Sequence, residues 1–124
     1  MSAIYVADGY SGGVRRVSEW FTWALSVDWE PHGQGVLSGD RRGETESIWL
    51  LDVTSGERRT LWTSSATDAA CCGTWSPDGR LILFQRGASG ERDLWTMRRD
   101  GTVVARVTDM PADYVWYEWG RDPE

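Results

Sequence analysis

The chain has 124 residues, 40% of them apolar, and carries nine Trp but only two Phe. A chain of that size forms one ordinary domain burying roughly two-thirds of its unfolded surface, and the excess of indole favours half-buried sheet faces over a helix bundle. A net charge of −6 with both signs interspersed excludes a basic stripe for nucleic-acid phosphates, and no apolar run approaches membrane-spanning length.

In chain order, residues 4–7 and 14–18 read as strands either side of an Asp8-Gly9 turn. A connection carrying Trp20, Phe21 and Trp23 leads to expected strands at 24–29, 35–39, 47–53 and 58–63. The turn Pro31-His32-Gly33, a charged loop from Asp40 to Glu46 that includes Arg41 and Arg42, and the turn Thr54-Ser55-Gly56 separate them. Four more strands are expected at 69–75, 80–86, 93–98 and 103–108. Ser76-Pro77-Asp78-Gly79 makes the first of their hairpins, Pro presetting φ and Gly taking the left-handed position. Asp100-Gly101 is a strong two-residue hairpin signal. Tyr114 and Trp116 open a last strand at 114–119, giving eleven strands and no helix.

These strands repeat. Trp29-Glu30-Pro31-His32-Gly33, Trp75-Ser76-Pro77-Asp78-Gly79 and Trp119-Gly120-Arg121-Asp122-Pro123 are spaced by 46 and 44 residues. Ile4-Tyr5-Val6, Ile48-Trp49-Leu50 and Leu94-Trp95-Thr96 run in step with them, as do Arg16-Val17-Ser18, Thr60-Leu61-Trp62 and Arg106-Val107-Thr108. A period of that length divided into four strands with turn chemistry between them is one blade of a β-propeller. The expected fold is all-β: a partial propeller with two complete four-stranded antiparallel blades, residues 20–64 and 65–110. Residues 1–19 supply the third and fourth strands of a preceding blade, and 111–124 the first strand of the next.

Trp75-Ser76-Pro77-Asp78-Gly79, the apolar strand after it, Gly90-Glu91-Arg92-Asp93-Leu94-Trp95, Asp100-Gly101 and Arg106-Val107-Thr108 together resemble the TolB-type (WD-like) propeller repeat. That family reads approximately W-S-P-D-G, an apolar strand, G-x-x-D-[IL]-[YW], a D-G turn and R-[LV]-T. The other whole blade keeps Trp29, Pro31, Gly33, Ile48, Trp49 and Gly56 but departs at Glu30, His32 and Thr54-Ser55-Gly56. The resemblance implies a noncatalytic protein-interaction or scaffolding module, as in periplasmic assembly proteins. Alternatively it implies a gating propeller segment beside a prolyl-oligopeptidase-type serine hydrolase, for which a G-x-S-x-G elbow in an adjoining segment would be the mark.

Chemistry-bearing residues are sparse. His32, the single histidine, stands where the other blade has Asp78 and reads as a turn residue, without the nucleophile and carboxylate a triad needs. The Asp-Gly turns lack the ligand spacing of a calcium loop, and the Gly-rich segments precede no helix that would bind phosphate. Adjacent Cys71 and Cys72 cannot staple distant segments, and neighbours on a strand face opposite ways. They read as two small buried residues, with a vicinal disulfide or a metal site as the alternative. No catalytic residue, cofactor or metal is assigned. The exclusive use of Arg as the basic residue reads as a genome bias.

The recurring Tyr5, Trp29, Trp49, Trp75, Trp95 and Trp119 read as blade-to-blade packing. Trp20, Phe21, Trp23, Tyr114 and Trp116 are left over, since the matching region of the middle blade holds Ala66, Ala69 and Ala70. With Arg41 and Arg42 they fall on the face carrying the connections between blades. There they form either a surface for a protein or peptide or filler for the inner rim. The expected partners are thus a protein or peptide, with no nucleic acid and no membrane. The ring is closed by homo-oligomerisation or by the rest of a longer propeller, although a self-closing ring would need the last strand to pair in parallel with the first hairpin. As written, the sequence shows no signal peptide and reads as cytoplasmic, or as periplasmic if a leader or longer parent supplies one.

Overall fold

The computed structural model describes residues 1–21, 24–43, 45–64, 67–88, 90–109 and 117–120, with residues 24 and 25 as backbone only. Among them are ten strands and no helix. β1 (Tyr5–Ala7) and β2 (Val14–Arg16) form an antiparallel hairpin. β3 (Ala24–Trp29), β4 (Gly35–Arg42), β5 (Thr45–Asp52) and β6 (Arg58–Ser64) form a four-stranded antiparallel meander. β7 (Ala69–Trp75), β8 (Leu81–Gly87), β9 (Asp93–Arg98) and β10 (Val103–Arg106) form a second. Of the last expected strand, 114–116 lie outside the described residues and 117–119 are not in a strand.

Each four-stranded sheet is apolar on both faces. In β4, Val36 and Leu37 point to opposite sides, yet both are buried. Val36 joins Trp49, Leu51 and Val53 in a cluster with Ile4, Val17 and Phe21 of the N-terminal segment. Leu37 joins Ile48 and Leu50 against Ala70, Trp75, Ile82, Phe84 and Met97 of the second sheet. A strand buried on both faces reads as a continuous apolar run, which is why Val36-Leu37 and Leu81-Ile82-Leu83-Phe84 show little alternation. The repeating aromatics follow the same logic. Trp49 and Trp75 are buried where a sheet lies over them, whereas Tyr5 and Trp29 are about half exposed, at 52% and 49%.

The innermost strands are also linked directly. Asp28 on β3 accepts hydrogen bonds from the Trp75 N–H at 2.7 Å and the Thr74 hydroxyl at 3.2 Å, and the Trp119 indole N–H donates to the Thr74 carbonyl at 3.0 Å. Within a sheet, hydroxyls near the end of the fourth strand fasten it to the third: Ser18 accepts from the Ile4 N–H and Thr108 from the Leu94 N–H, at 2.8 and 2.9 Å.

Two expectations are corrected. The charged loop from Asp40 to Glu46 is mostly strand: the ladder pairs Asp40 with Ser47, Arg41 with Glu46 and Arg42 with Thr45. Gly43 at φ 61° allows the tight turn, and the acidic side chains turn inward to meet arginines instead of facing water. Cys71 and Cys72 are joined as a vicinal disulfide. Alternation would keep the two sulfurs apart, but β7 shifts register between Cys71 and Thr74. Cys72 adopts φ 67° there, so the side chains no longer alternate.

The hairpin turns repeat as faithfully as the strands. Asp8 accepts from the backbone N–H groups of Tyr10 and Ser11, and Asp52, in the matching position, from those of Thr54 and Ser55. Four turn carboxylates are held below their usual range by such bonds: Asp8 chiefly by the Ser11 N–H, Asp52 by the Ser55 N–H, Asp78 by the Ser76 hydroxyl and Asp100 by the Thr102 hydroxyl. A carboxyl whose pKa is depressed by folding stabilises the native state above its unfolded pKa, and that stabilisation is lost as pH falls through the folded value. Stability to urea is therefore expected to be flat above about pH 5 and to fall below about pH 4. Asp52→Asn should show a smaller loss between pH 5 and pH 3 than the unmodified chain. Phe84 is fully buried between the two sheets, and Phe84→Ala is expected to cost about 3–5 kcal/mol by equilibrium denaturation.

Candidate functional site

In both meanders, the turn or loop between second and third strands lies at the same end as the connections into the first strand. That end gathers residues 40–43, 45–46, 87–88 and 90–92, residues 17–21 of the β2–β3 connection and the start of β7. Trp20 lies in the β2–β3 connection and is 50% exposed. The Arg16 guanidinium sits 5.3 Å from its ring centroid, and Tyr5 packs edge-on at 6.5 Å. These contacts hold an exposed indole in place, an arrangement in which little side-chain entropy is left to lose on docking.

Phe21 is different. It is buried, T-shaped against Trp49 at 5.6 Å, and its backbone bridges to Ser2. It fills the core beneath Trp20 in sequence and is not available as a contact on the surface. Trp23, Tyr114 and Trp116 lie outside the described residues. Arg41 and Arg42 are exposed and pair with Glu46 and Asp40. Among the described residues, no hydrogen bond, ion pair or ring contact joins them to Trp20. His32 is an exposed turn residue at φ 59°.

Beneath the arginines lies a buried polar cluster that reading the sequence did not identify. Glu46 is only 2% exposed; one oxygen of its carboxylate meets Arg41 and, at 3.6 Å, the Arg92 guanidinium. Among the described residues, its other oxygen and the Arg92 Nε have no hydrogen-bond partner, nor does the side-chain oxygen of Gln85. Gln85 Nε2 and Arg92 Nη1 instead approach Cys71 Sγ, at 3.1 and 3.7 Å. The Tyr117 hydroxyl donates to the Cys71 and Cys72 carbonyls, and burial raises its pKa well above the ordinary phenol value, keeping it a donor. One signal for this cluster was present in the sequence: Glu46 and Arg92 stand 46 residues apart, at the same place in successive repeats.

A second missed residue is Arg86. Its guanidinium lies 4.5 Å from the Trp62 ring centroid and 5.0 Å from that of Trp95, and it pairs with Asp68 at 3.0 Å. Among the described residues no group of three His, Cys, Asp or Glu could hold a metal ion, and no helix is long and apolar enough to cross a membrane.

The stacked four-stranded meanders, fastened at their innermost strands, can be set beside known proteins. The TolB protein of the Tol-Pal system of Anaeromyxobacter dehalogenans is 30% identical over 95 residues, which is 77% of this chain and 21% of that protein. The crystal structure of TolB from Acinetobacter baumannii matches with a TM-score of 0.72 at 21% identity, over 88% of this chain and 27% of that one. The fold is a partial TolB-type β-propeller. An uncharacterised protein of Agrobacterium fabrum is 31% identical over 109 residues, 87% of this chain and 36% of its own length. No family model matches the chain. This TolB-type segment thus spans about a third or less of the relatives it matches.

Glu46→Ala would leave the Arg92 side chain, itself 11% exposed, without its anion. It is expected to cost about 3–5 kcal/mol of unfolding free energy. Arg41→Ala removes a half-exposed partner of the same carboxylate and should cost less than about 1 kcal/mol. Chemical denaturation of the two variants checks the contrast.

Proposed function

We propose that this TolB-type segment is a noncatalytic interaction or scaffolding module that engages a protein or peptide through the end of the blades described above. The observation that carries the reading is the Trp20 indole, half exposed yet held by Arg16 and Tyr5. Exposed, pre-positioned indoles are the typical anchors of protein interfaces. By the sequence repeat, Trp23, Tyr114 and Trp116 fall in the same inter-blade connections, and Arg41 and Arg42 supply a charged rim. Tyr5, beside Trp20, occupies the position at which Trp49 is covered by a neighbouring segment, so the same face suits a further blade. That blade would come from a longer parent propeller or from a second copy of the chain. A periplasmic location follows if the parent chain carries a leader.

The test is affinity capture with mass spectrometry, followed by measured affinities for each captured protein. Trp20→Ala, Trp23→Ala and Trp116→Ala are expected to weaken a specific partner by tenfold or more, the scale of about 1.4 kcal/mol or greater found at interface anchors. Arg59→Ala, at the opposite end of the blades, should leave it unchanged. Equal retention by all four variants would overturn the reading. Light scattering across a concentration series separates the two sources of a further blade: a rise in mass identifies the second copy, and a constant monomer assigns the blade to a longer parent.

A further inference from the structure

The Cys71–Cys72 disulfide lies on β7, the innermost strand of its sheet, at the one place where that strand loses register with β8. Cys72 is one of two described non-glycine residues with positive φ, the other being His32 in an exposed turn. A left-handed conformation is unfavourable for a residue that carries a Cβ, and here the cross-link to its neighbour holds it. The bend presents the carbonyls of both cysteines to the Tyr117 hydroxyl.

The surroundings of the two sulfurs are unequal. Cys71 is buried, whereas Cys72 is partly accessible. Two donors are directed at Cys71 Sγ, Gln85 Nε2 at 3.1 Å and the cationic Arg92 Nη1 at 3.7 Å, and Arg92 is itself fixed by Glu46. A disulfide sulfur is only a weak acceptor. A neutral donor and a guanidinium suit a sulfur that becomes negatively charged, since a nearby cation stabilises a thiolate.

We propose that Cys71–Cys72 is an exchange-active redox switch, reduced by an external dithiol and coupled through Tyr117 to the segment that follows the second blade. The dithiol's thiolate attacks Cys72 Sγ, the S–S bond breaks, and Cys71 Sγ leaves as a thiolate between Gln85 and Arg92. The second thiol of the reductant then displaces Cys72 Sγ from the mixed disulfide. The reductant ends as its own disulfide, and the cysteine pair has taken up two electrons and, on protonation, two protons. With the cross-link gone, Cys72 relaxes from its left-handed conformation and its carbonyl turns away from Tyr117. Residues 117–120 loosen with it, including the Trp119 bond to the Thr74 carbonyl.

The experiment uses the full chain in native buffer, poised with oxidised or reduced dithiothreitol. Alkylation followed by mass measurement counts free thiols, and amide hydrogen exchange is followed in peptides covering residues 69–75 and 117–120. The expected result is two free thiols per chain without denaturant, with exchange in both peptides at least about fivefold faster in the reduced form. Arg92→Ala and Gln85→Leu should each slow reduction by about tenfold, and Arg92→Lys should retain most of the rate. Unfolding would expose the disulfide and speed its reduction, so slowing is not a symptom of misfolding. Thiols that appear only in denaturant, unchanged exchange in both peptides, or variants reduced as fast as the parent chain would each overturn the proposal.

Discussion

The structure depends on sheets that are apolar on both faces and so cannot be stable alone. In β4, neighbouring residues Val36 and Leu37 enter two different cores, so the first meander is held between the N-terminal segment and the second meander. Burial at about 25 cal/mol per Å² of apolar surface is gained only when the next sheet arrives. Stability is therefore a property of neighbouring pairs of blades, as expected for repeat architectures. The direct bonds from Asp28 to Thr74 and Trp75 add alignment to this adhesion, because apolar packing alone does not fix how far one blade slides along the next.

Arginine has a second role in these seams. Arg86 lies over Trp62 and Trp95, Arg58 over Trp49 and Arg16 over Trp20. A planar, weakly hydrated guanidinium can cover an indole face while keeping its charge near water or a carboxylate. Here Asp68 provides that carboxylate for Arg86. Several indoles are thus capped by guanidinium groups, where lysine would stack less well.

The strands and their order were legible because apolar runs, turn residues and a period of 44 to 46 residues all agreed. β3, β7 and β9 begin and end where the pattern placed them. What escaped was decided by contacts distant in sequence. Asp40 and Glu46 looked like loop residues because acidic side chains usually face water; Arg42, Arg41 and Arg92 allow them to turn inward. Phe21 looked like a neighbour of Trp20, yet the Trp49 ring takes it into the core. The disulfide stood only as the alternative reading because alternation along a strand was expected to hold, and one left-handed residue, Cys72, breaks it. Composition carries no trace of a single dihedral angle.

Glu46 and Arg92 occupy the same place in successive blades but bear opposite charges, 3.6 Å apart. Tandem duplication of the first blade would set carboxylate beside carboxylate there, and duplication of the second guanidinium beside guanidinium. Like charges at about 4 Å repel by about 4 kcal/mol at an effective dielectric of 20. The seam therefore favours two unlike blades over two copies of either one. Sequences that look interchangeable by period and turn chemistry are made distinct by a single pair of side chains, which gives a repetitive chain an address for each of its parts.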